Sequence, residues 1–185
     1  CSKRFLTNKV DRSAGGFGVQ QSCLGPLHTP IADNFITALS YYDTRGIVSS
    51  IGEQPLKGLY DSKNMVGMAV GEMLTNIIST KITSLEDIKC SGNWMWANDN
   101  NENKYLLYRA VCYLNKLLLK LGFAIDGGKD SLSMSAKYNQ RTIRSPNQFV
   151  LTSYVMTEDF NITATPFFKK AGNSIIYVDL GYSQY

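Results

Sequence analysis

Glu72 and Asn76 carry the sharpest chemical signal in the sequence. Both offer side-chain oxygens, and they lie in a stretch, Lys63 to Thr80, that reads as a helix. Met65, Val66, Met68, Ala69, Val70, Met73, Leu74, Ile77 and Ile78 make it apolar nearly all round, so the helix should be buried. A spacing of four puts Glu72 and Asn76 on one helical face, beside Met65, Met68, Ala69 and Met73. A carboxylate on such a face is costly unless it is paired, hydrogen-bonded or bound to a metal. Two readings stand. One is a capping or core hydrogen bond. The other is a site for a hard cation such as Mg²⁺, which takes few protein oxygens and fills its shell with water or phosphate. That site needs a further carboxylate from elsewhere, and Asp33, in Pro30-Ile31-Ala32-Asp33, is the candidate.

A second feature is Gly127-Gly128-Lys129-Asp130-Ser131. Backbone N–H groups of a glycine turn, with a lysine, can hold an anion. The Walker spacing GxxxxGK[ST] is absent, and spacing alone favours an ordinary polar turn that leads into a strand. Asp11-Arg12-Ser13 before Gly15-Gly16 reads as an anion loop or a salt-bridged bend. In Cys90-Ser91-Gly92-Asn93-Trp94-Met95-Trp96, Gly-Asn before two tryptophans suggests a bulge with a buried aromatic anchor, a packing role. A single histidine, His28, speaks against Ser-His-Asp or Cys-His catalysis within this chain and reads as a packed or hydrogen-bonded residue. Cys1, Cys23, Cys90 and Cys112 lie far apart and form no CxxC pair, so they read as free thiols, not a zinc site.

Several elements must position these groups. Phe5 to Val10 and Phe17 to Gln21 read as short strands, and Gly25-Pro26 and Thr29-Pro30 punctuate a loop. Phe35 to Tyr42 and Ile47 to Ile51 flank Asp43 to Gly46 as a hairpin. A helix follows Asp61, Ile88 to Trp96 is strand-like, and a second helix runs from Tyr105 to Leu121 with Gly122 as its stop. Ser131 to Tyr138 and Arg141 to Ser145 flank Asn139-Gln140 as a second hairpin. Phe149 to Met156 and Ile175 to Leu180 complete the strands. Strands interleaved with two long helices imply α+β or α/β, and the hairpins favour an antiparallel or mixed sheet with helices packed on one face.

Composition narrows the rest. The chain has 185 residues, 44% hydrophobic and 18% charged, which suits one domain with a real core and excludes a disordered or fibrous chain. No apolar run approaches the ~18 residues of a membrane span. The net charge of +4 is mild and its lysines and arginines are scattered, so nucleic-acid binding is disfavoured. The chain starts at Cys1 without a signal sequence and reads as a piece of something longer.

Many motifs stand in a familiar order. They are Ser2-Lys3-Arg4-Phe5-Leu6-Thr7, Asp11-Arg12-Ser13, Val19 to Gln21, Gly25-Pro26-Leu27, Pro30 to Asp33, Ile51 to Pro55, Gly71-Glu72 with Leu74-Thr75-Asn76, Lys89 to Trp96, and Gly127 to Met134. Together they resemble phosphoribosylformylglycinamidine synthase of the large, single-chain type, over nearly the whole chain and more weakly after about Glu158. The resemblance implies ATP-dependent amidation of formylglycinamide ribonucleotide with glutamine as the nitrogen donor, in de novo purine biosynthesis in the cytoplasm. It implies that residues 1–160 are the N-terminal subdomain of the second synthetase half, similar to the corresponding subdomain of aminoimidazole ribonucleotide synthetase. Residues 161–185 would start the following C-terminal-like subdomain or form a connecting strand.

By the same resemblance this subdomain helps hold an auxiliary nucleotide, ATP or ADP, with Mg²⁺. Asp33, Glu72 and Asn76 match the metal ligands, Ala32 lies at the nucleotide, and Lys3 lies near its phosphates. Lys129 and Asp130 are assigned to the nucleotide or to a subdomain interface. No catalytic residue of the family falls in this stretch, so the piece alone should be inert. Its partners would be the first synthetase half and the glutaminase domain of one parent chain, and alone its unpaired sheet face should promote self-association. One departure is Ala14-Gly15-Gly16, where the family has Val-Thr-Gly or a close variant. The alternative is a non-catalytic nucleotide-binding or scaffold module built on the same fold.

Overall fold

The structure, a computed structural model, describes residues 16–28, 30–179 and 181. The expected strand Phe5 to Val10, the Asp11-Arg12-Ser13 loop with Ala14 and Gly15, and Lys3 lie outside them.

Alternating burial creates the main sheet. Strands β1 (Gly18–Gln20), β2 (Asn34–Ala38), β3 (Gly46–Glu53), β4 (Lys89–Met95), β5 (Ala124–Ser131) and β8 (Gln148–Thr157) lie in the order β1-β2-β3-β8-β4-β5. All neighbours are antiparallel except β4 and β5. The sheet is thus mixed and mostly antiparallel, and the chain is α+β. Val48, Ser50 and Gly52 of β3, and Phe149, Leu151, Ser153 and Val155 of β8, point to the covered face. Helix α1 (Pro55–Gly58) is a single turn, α2 (Ser62–Ile77) packs on β3 and β8, and α3 (Asn101–Leu121) packs on α2. Both long helices therefore lie on one face of the sheet.

The helix ends follow from local chemistry. The Asp61 carboxylate accepts from the Asn64 N–H at 2.8 Å and starts α2. Asn100 caps α3 in the same way through the Asn103 N–H, also at 2.8 Å, which starts the helix one turn before Tyr105. Gly122 ends it at φ 82°, where its N–H meets the Leu118 carbonyl. Helix α2 is less enclosed than its composition suggests. Met65, Val66, Ala69, Val70, Met73 and Ile77 are buried, whereas Met68 and Ile78 face solvent.

Four expectations give way. The stretch 127–131 is not a turn. It is the second half of β5, paired with β4 from Ser91–Gly127 to Met95–Ser131. The first strand of the second hairpin is correspondingly shorter, β6 (Ser135–Tyr138), paired with β7 (Arg141–Arg144) in its own small sheet. The expected strand Ile175 to Leu180 has no ladder over residues 175–179, and Ile175, Ile176 and Tyr177 are exposed. Its β-branched, apolar run suits a strand, but no edge of the described sheets pairs with it, and an unpaired strand does not form. Strand β2 also stops at Ala38, so the loop to β3 is longer than Asp43 to Gly46.

His28 is exposed in the turn at residues 25–28, with φ 49°, so it is not packed in the core. Cys23, Cys90 and Cys112 are free thiols. Among the described residues, no helix is long and apolar enough to cross a membrane.

Candidate functional site

The end of the sheet where β3 leaves and β2 enters gathers the oxygen donors. Glu72 and Asn76 sit half-buried at the border between the covered face of α2 and solvent. Each is tied to β3 by donated hydrogen bonds. The Glu53 N–H donates to Glu72 Oε2 at 2.7 Å, and Gln54 Nε2 donates to the same oxygen at 3.0 Å. Asn76 Nδ2 donates to the Ile51 carbonyl at 2.9 Å. The carboxylate on an apolar helix thus finds the hydrogen bonds that its position requires.

These bonds also fix orientation. Both donors to Glu72 use Oε2, and the structure gives Oε1 no hydrogen bond among the described residues. The Asn76 amide spends its N–H on Ile51, which directs Oδ1 away from β3. Two adjacent residues of one helical face therefore each present one oxygen, held by nitrogen donors behind it. Such backing is how proteins orient ligands to hard cations.

Asp33 lies just before β2 and makes no hydrogen bond to Glu72 or Asn76. The last β2–β3 pair is Asn34 with Ser50, so Asp33 lies one residue further on, at the level of Ile51, whose carbonyl holds Asn76. Asp33 is exposed and its carboxylate has no hydrogen bond among the described residues. Ala32 is half-buried, and its N–H donates to the Ser22 carbonyl at 2.9 Å, which turns the chain toward β2. An all-oxygen donor set of two carboxylates and one amide fits Mg²⁺ and does not fit a soft metal. Among the described residues no group of three or more His, Cys, Asp or Glu side chains is placed to hold a metal.

Lys129 and Asp130 do not join this cluster. They lie exposed on the edge strand β5, four strands from β2, or roughly 19 Å at ~4.8 Å per strand. Lys129 Nζ turns back onto Ser131 Oγ at 3.0 Å. Its backbone pairs with Asn93, which pairs with Val150, which pairs with Glu53. Lys129 and Glu53 therefore occupy one row across the open face, at the same end of the sheet as Glu72.

Of the two glycines before Lys129, Gly128 is explained by packing. A Cβ on Gly128 would lie 2.0 Å from the Gly92 carbonyl oxygen, and Gly128 has φ 148°. Gly92 and Gly128 are register partners, so the two glycine motifs are halves of one close contact. The bulge expected at Gly92-Asn93 is not there: both residues pair regularly with β5 and β8, and the register shift between Cys90 and Ser91 leaves Asp126 of β5 as the extra residue. Trp96 is fully buried and donates Nε1–H to the Asn103 carbonyl at 2.9 Å, and Trp94 stacks near Phe149 with centroids 4.3 Å apart.

Sequence reasoning missed Asn34. It is buried at the start of β2, next to Asp33, and its Nδ2 donates to the Asn76 carbonyl at 3.2 Å. A polar residue at a strand's first position gives no signal of its own in the sequence.

A mixed six-stranded sheet with two long helices on one face is the fold of the PurM-like synthetase subdomains. Chains of PurL from Thermotoga maritima share it. The form complexed with ATP superposes with a TM-score of 0.57 at 17% identity, over 74% of this chain and 22% of that one. The form complexed with FGAR gives a TM-score of 0.56, also at 17%. Residues 2–156 match the family described as the FGAR-AT PurM_N-like domain, and the chain belongs to that family. It is similar to phosphoribosylformylglycinamidine synthase from Dictyostelium discoideum, 45% identical over 97% of this chain, and to the human protein, 44% identical over all of it. The Drosophila melanogaster protein is 46% identical over 97%. The chain spans about one-seventh of these relatives' length, 14% of each.

Proposed function

We propose that this chain is part of a C–N ligase that converts formylglycinamide ribonucleotide, glutamine and ATP to formylglycinamidine ribonucleotide. Its share of the work is a Mg²⁺–nucleotide site and a subdomain interface, not bond making. Identity of 44–46% to synthases along nearly the whole chain supports membership of such an enzyme. The observation that carries the site is the paired presentation of Glu72 and Asn76, each oriented from behind by β3. With Asp33 they would hold Mg²⁺ by three oxygens and leave its remaining positions for water and phosphate oxygens. The nucleotide's phosphates would lie on the solvent side of that ion, near Ala32 and Lys3. Bound Mg²⁺ would neutralise phosphate charge.

Lys129 and Asp130 belong in this reading to the interface, since they lie on the edge strand away from Asp33. The open sheet face, with Phe35, Ile47, Ile51 and Val150, would meet the matching subdomain of the other synthetase half. Catalytic groups would come from elsewhere in the parent protein, and the 185-residue piece would be inactive alone.

Calorimetry of ADP binding with Mg²⁺ to the complete protein tests the site. Removing the Glu72 carboxylate by Glu72→Ala should weaken Mg²⁺-dependent ADP binding by about ten-fold or more, as loss of one ligand does. Equal affinity in Glu72→Ala and wild type would remove Glu72 from the ligand set.

A further inference from the structure

We propose that Asn34 is a positioning residue for the Asp33, Glu72 and Asn76 site, an inference that rests on the metal-site reading above. Helix α2 ends without the left-handed glycine that closes α3. Its cap, Ile78, keeps helical angles. The last carbonyls of any helix lack intrahelical donors and must find others. For Asn76 that donor is Nδ2 of Asn34, at 3.2 Å. The same amide nitrogen lies 2.8 Å from Ser79 Oγ and 3.2 Å from Thr80 Oγ1, so one side chain gathers the whole helix exit.

The amide is itself held. Gln20 Nε2, on β1, donates to Asn34 Oδ1 at 2.5 Å and to the Asn34 carbonyl at 3.1 Å. This sets which way the Asn34 amide faces, because its oxygen is occupied and its nitrogen must turn to the helix. Asn34 is 4% exposed and Gln20 5%, so water does not compete. The network continues through Thr80 Oγ1 to Thr163 Oγ1 at 2.7 Å, beyond the last strand.

The consequence is geometric. Asn34 follows Asp33 directly in the chain and bonds the backbone of Asn76. It therefore ties a ligand just before β2 to a ligand on α2, two elements that both pack on β3. Removing it should leave each donor in place on its own element and loosen their spacing.

The test uses Mn²⁺ as the probe, by electron paramagnetic resonance, on the complete protein below the unfolding range of every variant. The signal followed is the Mn²⁺ whose binding Glu72→Gln removes. Asn34→Ala should weaken that site about ten- to hundred-fold, as loss of an orienting partner does. Asn34→Asp has the same shape without the N–H donors and should be no better than Asn34→Ala. Leu114→Ala, a core truncation on α3 far from β2, controls for general loosening and should bind as wild type. Wild-type affinity in Asn34→Ala, with loss in Glu72→Gln, would overturn the positioning role and leave the metal site standing. Equal weakening in Leu114→Ala would also overturn it. No effect of Glu72→Gln would remove the metal site and the positioning role together.

Discussion

Cys90 points from β4 into the core, and burial pushes its thiol up to about 12, with a smaller push from the Asp126 charge. The thiolate is the reactive form, so at pH 8 only about one thiol in 10⁴ is ionised. Cys90 should therefore resist iodoacetamide in the folded protein, while Cys112, partly exposed on α3, reacts first. Peptide mapping after alkylation checks this, and rapid labelling of Cys90 without unfolding would contradict it. The free-thiol character was legible from the cysteine spacing, but the inertness of Cys90 was not, since it depends on what packs over it. Glu72 and Asn76 were legible for a sound reason. A carboxylate on an apolar helix demands a partner, and the four-residue period names the face. Their actual partners, the Glu53 N–H and the Ile51 carbonyl, come from a strand that the helix period says nothing about. Asn34 was illegible because its role is tertiary.

At the level of elements, the glycine pair of β5 separates packing from composition. Gly-Gly-Lys-Asp reads locally as a turn, yet it forms a strand because β4 approaches it closely at Gly92. Gly128→Ala would drive a Cβ into the Gly92 backbone and strain φ, and should cost about 3 kcal/mol or more. Gly127→Ala meets no atom within 4 Å and should stay within about 0.5 kcal/mol of wild type. Urea midpoints of the two variants decide it, and equal midpoints would refute the close-contact account. The β6–β7 hairpin makes a second case. Its turn residues, Asn139 and Gln140, both have positive φ, the type I′ geometry that matches strand twist, and this hairpin was legible from its sequence. What anchors it was not. Arg144 Nε donates to both Asp99 oxygens, at 2.8 and 2.9 Å. The Arg144 hydrogen bond holds the Asp99 carboxyl below its ordinary value. A depressed carboxylate stabilises the fold above its unfolded pKa and loses that contribution as pH falls through its folded value. Amide exchange in residues 135–144 should therefore accelerate, after correction for intrinsic rates, as pH drops below about 4. Arg144→Gln should remove that pH dependence.

For the whole molecule, the decisive asymmetry is one covered sheet face and one open one. The helices cover Val48, Ser50 and Gly52 of β3, while Ile47 and Ile51 of the same strand face outward with Phe35, Val150 and Met156 from β2 and β8. Ile51 is 52% exposed. An antiparallel sheet with one solvated face usually alternates apolar with polar residues, and this open face carries Phe35, Ile47, Ile51, Val150 and Met156 among Thr37, Ser49 and Thr152. Such a face favours contact with another surface. The sequence shows the alternation strand by strand, but the strand order that merges the residues into one face exists only in the fold. The 185-residue chain alone should therefore self-associate through this face. Ile47→Lys with Ile51→Lys puts two charges on the open side of one strand, where long stems can lie along the surface and carry the ammonium groups to water. The core side of β3 is untouched, so far-ultraviolet circular dichroism should not change. Sedimentation velocity should show the double variant shifting to monomer at concentrations where the wild type associates. If the two sediment alike and associated, the chain pairs through another surface. If the wild type is already monomeric, the open face is too polar at its Glu53, Asn93 and Lys129 end to hold two copies together, and its complement must be a surface unlike itself.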